Sequence, residues 1–80
     1  MQTKETLKNV IIVLDKEEDF SKKSIEDLFQ KIKEYKKLPF HDVILKMHSK
    51  YYVKFWEILI SKKEKFKEAE IKNDLFRISL

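Results

Sequence analysis

Histidine, carboxylate and lysine side chains are the groups here that could ligate a metal, move a proton or hold a phosphate. His41 and His48 stand seven residues apart. Two ligands on one helix stand three or four apart, and with no cysteine in the chain nothing completes a zinc set. Both read as structural or surface histidines. Asp15, Glu17, Glu18 and Asp19 form an acidic run, but a calcium loop needs oxygen ligands at alternate positions and a glycine at its sharp turn, and the chain contains no glycine. General acid–base catalysis needs carboxylates held in a shared, partly dry pocket, whereas the acids here are interleaved with lysines. The reading is of a protein that is not an enzyme and takes no metal or cofactor.

Positive charge is the stronger signal. From Lys46 to Lys67 the chain has seven lysines and two glutamates, seven minus two giving +5 against +4 for the whole chain. Extending the window to Glu70 brings it to +3, so the excess is local and modest. Lys46, Lys50, Lys54, Lys62 and Lys63 are the candidate phosphate contacts. Arg77 is the single arginine, and base reading favours the planar guanidinium, so binding of this kind would ignore base sequence. The plainer reading of the same residues is a solvated, lysine-rich face. Tyr51 and Phe55 share a helical side with Met47 and Ile58 and read as core. Tyr52, Trp56 and Ile60 fall on a second side, where an exposed Tyr/Trp pair would anchor a protein interface.

The elements that position these groups are read from composition and period. Eighty residues make a single domain, 1–80, whose small core leaves stability marginal. With cysteine absent, oligomerisation is the remaining aid. Zero glycines and one proline disfavour phosphate-cradling loops and tight hairpins. The longest apolar run, VIIVL at Val10 to Leu14, is far short of the roughly 18 residues of a membrane span, which implies a soluble, cytoplasmic protein with no membrane contact.

Helical spacing then suggests an all-α chain. Leu7, Val10, Ile11 and Leu14 form a first helix after a cap at Thr3, and Asp15 to Phe20 is a solvated connection. Ser24 and Asp27 have capping-box spacing, and Ile25, Leu28, Phe29, Ile32 and Tyr35 make one stripe of a second helix that ends near Leu38, before Pro39. On a helical wheel, Lys46, Lys50, Lys54, Glu57 and Ser61 share one narrow arc of a third helix that is apolar almost all round. Ser61 and Glu64 have capping-box spacing for a further helical stretch over 61–73, and residues 75–80, LFRISL, form a tail that could dock a partner or lie at an edge.

The rival is alternation. Val43, Leu45, Met47, Tyr51, Val53, Phe55 and Leu59 would face inward as strands, and with a VIIVL strand, the Ser24 helix, a helix over 61–73 and a terminal LFRISL strand they give an α+β, βαββαβ ferredoxin-like order. Against it, His48-Ser49-Lys50 has no Gly, Asn or Asp for a hairpin turn. The sequence therefore predicts a small all-α bundle of three or four helices with α+β as the alternative. Its expected role is a protein–protein interaction module, such as an accessory subunit, inhibitor or regulatory adaptor, with an unidentified protein partner. The alternative is a nucleic-acid binder. A homodimer centred on Trp56 is expected, because an uncovered Tyr52, Trp56 and Ile60 side would be buried against its own copy.

Overall fold

The computed structural model describes residues 1–38 and 42–80. The chain is α+β, not an all-α bundle. Five strands form one mixed sheet: β1 (Gln2–Glu5), β2 (Asn9–Leu14), β3 (Asp42–His48), β4 (Glu68–Lys72) and β5 (Leu75–Ser79), in the order β1-β2-β3-β5-β4. Two helices, α1 (Lys22–Lys36) and α2 (Tyr52–Ser61), pack on one side of it. The alternative ferredoxin-like class is the nearer reading, although β1 is additional and α2 follows β3 without an intervening hairpin.

The predicted first helix is a hairpin. Asn9–Leu14 is rich in β-branched residues that crowd a helix but suit a pleated surface, and its burial alternates, with Val10, Ile12 and Leu14 fully inside. Leu7, counted above in a helical stripe, lies 92% exposed at the turn. No glycine is needed there, because the Thr6 hydroxyl accepts from the Asn9 amide at 3.0 Å and donates to the Asn9 carbonyl at 3.2 Å. At the β4–β5 turn Asn73 takes the left-handed conformation (φ 56°) that glycine would usually supply. Hairpins disfavoured on composition are thus closed by Thr6 and Asn73.

The segment from Asp15 to Phe20 is partly interior. Glu17–Phe20 forms a 3-10 turn that buries Phe20, which stacks on Tyr51 at 4.3 Å between ring centroids. The N-cap of α1 lies three residues before the predicted one: it is Ser21, its hydroxyl accepting from the Ser24 amide at 3.2 Å. The predicted stripe Ile25, Leu28, Phe29 and Ile32 is buried, and the Tyr35 hydroxyl bonds the Glu5 carboxylate, which ties β1 to α1 and raises the phenol's pKa. Pro39 and His41 lie outside the described residues.

The long third helix does not form as drawn. Asp42–His48 is β3, parallel to β2 with Asn9 level with Asp42 and Leu14 level with Met47. Its alternate residues Val43, Leu45 and Met47 enter the core. At the end of β3 the His48 ring nitrogen Nδ1 accepts from the Lys50 amide at 3.0 Å, and the Ser49 amide donates to the Asp74 carbonyl at 2.8 Å. The chain then turns through a 3-10 segment, Ser49–Tyr51, into α2, which buries only Phe55 and Leu59 fully. Helix over 61–73 is also not formed: Lys63 adopts φ 54°, and Lys63 and Glu64 donate to the carbonyls of Ile60 and Leu59, a Schellman stop. The chain beyond it becomes β4.

One hydrophobic cluster lies between the helices and the inner face of the sheet, drawing Val10, Ile12 and Leu14 from β2, Val43, Leu45 and Met47 from β3, Phe76, Ile78 and Leu80 from the C-terminal strand and its end, and Phe55 and Leu59 from α2. The segment LFRISL, read above as a tail, is an interior strand between β3 and β4. At the rim of the core the carboxylate of buried Asp19 accepts from the amides of Asp15 (3.0 Å) and Lys16 (3.1 Å) and meets the Met1 ammonium at 3.0 Å. Burial pulls its pKa up, but the ammonium and the amide bonds outweigh that and hold it below the ordinary value.

Candidate functional site

Since both helices lie on one side, the strand residues of opposite parity form a sheet face that no described element covers. On β2 these are Asn9, Ile11 and Val13, on β3 Asp42, Ile44, Lys46 and His48, and on β5 Leu75, Arg77 and Ser79. The register draws a row across all five strands: Gln2, Val13, Lys46, Arg77 and Glu70. A second row runs Lys4, Ile11, Ile44, Ser79 and Glu68. Ile44 is 6% exposed yet stands outside the main hydrophobic cluster. Side chains of its own sheet face, not a second layer, hide it.

Lys46 and Arg77 are direct cross-strand partners near the middle of this face, and both are half-buried. Like charges directly opposite one another destabilise a sheet. Neither cation has a carboxylate within ion-pair distance among the described residues: the ion pairs present join Met1 to Asp15 and Asp19, Lys36 to Glu64, and Lys67 to Asp42. Glu70, next to Arg77 in the row, makes no such pair. The face therefore holds two adjacent cations without an ion pair among the described residues, framed by Ile11, Val13 and Ile44, with Glu70 across from Arg77. An anion reaching between them would remove their repulsion and meet two charged donors. Among the described residues this face carries no Phe, Tyr or Trp, and its aromatic ring is the His48 imidazole at the end of β3.

The other lysines named from sequence scatter. Lys50 sits in the turn after β3, its Nζ 5.2 Å from the Tyr51 ring centroid. Lys54 projects from α2, its Nζ 5.8 Å from the Phe20 ring centroid. Lys54 and Lys62 line a groove of about 550 Å³ between α1 and α2, together with Lys22, Glu26 and Glu57 over a floor of Phe20, Ile25 and Ile58. Lys63 lies in the Schellman turn. Thus Lys46 faces one side of the molecule while Lys54 and Lys62 belong to the other. The groove mixes three lysines with two glutamates, so its charge is largely internally matched.

Of the predicted protein-interface set, Tyr52 and Trp56 are half-buried. The Tyr52 ring meets Phe76 edge-on at 5.1 Å, and Trp56 meets Phe66 at 5.0 Å. Ile60 is 67% exposed. Sequence reasoning passed over Lys4 and Arg77 as binding groups. Their signal was alternation in VILKMH and LFRISL, which sets Lys46 and Arg77 on the same face once the two segments are paired as strands. No known protein family matches this chain, and neither a characterised protein nor a solved structure shows detectable similarity to it.

Proposed function

We propose that the chain is a non-catalytic cytoplasmic module whose open sheet face binds the phosphate backbone of nucleic acid without reading sequence. The supporting observation is the Lys46–Arg77 pair: two cations held side by side at a cost to the sheet, neither in ion-pair contact with a carboxylate among the described residues, with Glu70 across from Arg77 as the nearest acid in the row. The net charge of +4 adds long-range attraction for a polyanion. Arginine contributes a fork that can take a phosphate bidentately, and lysine a compact point charge. Lys4 on β1 extends the positive surface outward, whereas on β4 Lys72 shares the face with Glu68 and Glu70.

Fluorescence anisotropy with labelled single- and double-stranded oligonucleotides tests it. Binding should weaken with salt at a log–log slope of about −0.9 per phosphate neutralised on a duplex. The Lys46→Glu/Arg77→Glu double variant should lose it, while Lys54→Glu/Lys62→Glu, in the groove behind the sheet, should retain it. Loss through the groove pair alone, or no binding at low salt, would refute the assignment. A second reading, protein–protein contact through α2, is supported by Val53 (62% exposed) and Ile60 side by side in the helix wheel's outer part. A partner captured from lysate by the wild type and lost on Ile60→Asp would favour it.

A further inference from the structure

β4 is an edge strand with all five residues exposed, Ile71 among them at 51%. Its backbone is half used. The β4–β5 hairpin closes at Lys72 and Leu75 around a two-residue turn, Asn73-Asp74. In such a ladder Lys72, Glu70 and Glu68 exchange bonds with β5, so the amides and carbonyls of Ile71 and Ala69 point away from the sheet. An edge of this kind is a template for a further strand. β1, at the other edge, has only Gln2, Thr3, Lys4 and Glu5 and no apolar side chain to bury.

We propose that β4 pairs antiparallel with β4 of a second copy, about a twofold axis normal to the sheet at Ile71. Directly opposed residues in such a pairing share a sheet face, so the axis must pass through a residue, and charge selects which one. Centring on Ala69 sets Glu68 against the second copy's Glu70, and centring on Glu70 sets that carboxylate against itself. Centring on Ile71 opposes Ile71 to its own copy on the helix side and Glu70 to Lys72 twice on the open side. It is the one register of the three with no like-charge pair inside the strand; beyond the strand Glu68 lies level with Asp74 in the second copy's turn, where both carboxylates stay in solvent. Ile71 then supplies a reciprocal pair of backbone bonds at the axis, and its exposed side chain is covered. Because the axis is normal to the sheet, the two open faces join on one side as a ten-stranded surface.

Light scattering on a size-exclusion column, in the absence of nucleic acid, tests the pairing. The wild type at tens of micromolar should show twice the 9.8 kDa chain mass. Ile71→Pro removes an amide that the hairpin does not use, so it should remain folded by circular dichroism and elute as a monomer. Glu70→Lys and Lys72→Glu should each give monomer, and the two combined should restore the dimer. A monomeric wild type, a dimeric Ile71→Pro, or a double variant that stays monomeric would each overturn the proposal. Should Ile71→Pro fail to fold, the charge-swap series decides. Lys46→Glu/Arg77→Glu should dimerise unchanged, which separates failure of this pairing from failure of the nucleic-acid reading.

Discussion

Ile12 and Ile44 are residues of one type on neighbouring strands, nearly equally inaccessible at 0% and 6%, yet they face opposite sides of the sheet. Ile12 is sealed by helices, within a cluster that includes Phe55, Leu28 and Ile32. Ile44 is shielded by its row neighbours, Ile11 and Ser79, and by the stems of longer side chains, which can cover apolar surface while their charges stay wet. The difference teaches that low exposure has two origins. A second layer creates a rigid cavity when a side chain is cut back, whereas a cover of flexible side chains collapses or admits water.

The widest separation should come from truncating those two residues. Ile12→Ala is expected to cost about 2–5 kcal/mol, transfer plus cavity, and Ile44→Ala about 1–2 kcal/mol, close to the transfer part alone. Urea denaturation under conditions that keep the protein monomeric reads both. Equal losses would mean that the open face is covered in solution.

Charge sharpens the same contrast. Asp19, on the helix side, is buried with each of its partners in place, and Asp19→Asn should cost roughly 1–3 kcal/mol by leaving the Met1 ammonium only the more distant Asp15 carboxylate, at 3.7 Å. Its folded pKa lies below the unfolded value of 3.8. A depressed carboxylate stabilises the fold above the unfolded value, and that contribution disappears as pH falls from there through the folded pKa. Thermal melts of wild type and Asp19→Asn should therefore converge below about pH 4. Convergence only at alkaline pH would contradict the ion pair.

The smallest effect has the opposite sign. Lys46→Glu places an acid opposite Arg77 and should raise stability by about 0.2–1 kcal/mol, while phosphate affinity falls. Asp19 is stabilised where it stands and Lys46 is not. A variant that is both less stable and weaker in binding would show that Lys46 serves the fold.

How much of this was legible in the sequence depends on the segment. The α1 stripe was, because Ile25, Leu28, Phe29 and Ile32 repeat at helical spacing and nothing strand-like competes. The stretch from Lys46 to Ser61 was not read as it folds, since it joins the end of a strand to a helix and each period fits only its own half. The switch is made by the His48 ring accepting the Lys50 amide and by Ser49 bonding Asp74, a residue of a distant turn. Such a tertiary tie leaves no periodic trace. β4 was hidden for another reason: Glu68, Ala69, Glu70 and Lys72 prefer helix, and an edge strand with no buried residue has no alternation to reveal it. The lysine set was misassembled in consequence, for a helix stacks Lys46, Lys50 and Lys54 where strand and helix send them to different sides.

The parallel pairing of β2 with β3 also governs how fast this chain can find its fold. Every partner in that pairing lies 33 positions along the chain, 9 to 42 and 14 to 47, whereas the β4–β5 partners span 3 positions at the turn and 11 at the far end. Local hairpins close in roughly 1–10 μs, so the two ends of the sheet can form and dissolve many times before the centre meets. Joining the centre carries a chain-closure entropy on the order of 3 kcal/mol, which α1 reduces by condensing fifteen of the intervening residues. The central joint is then the slow event, and Val10, Ile12, Val43 and Leu45 are the contacts whose loss should slow folding while leaving the unfolding rate nearly unchanged.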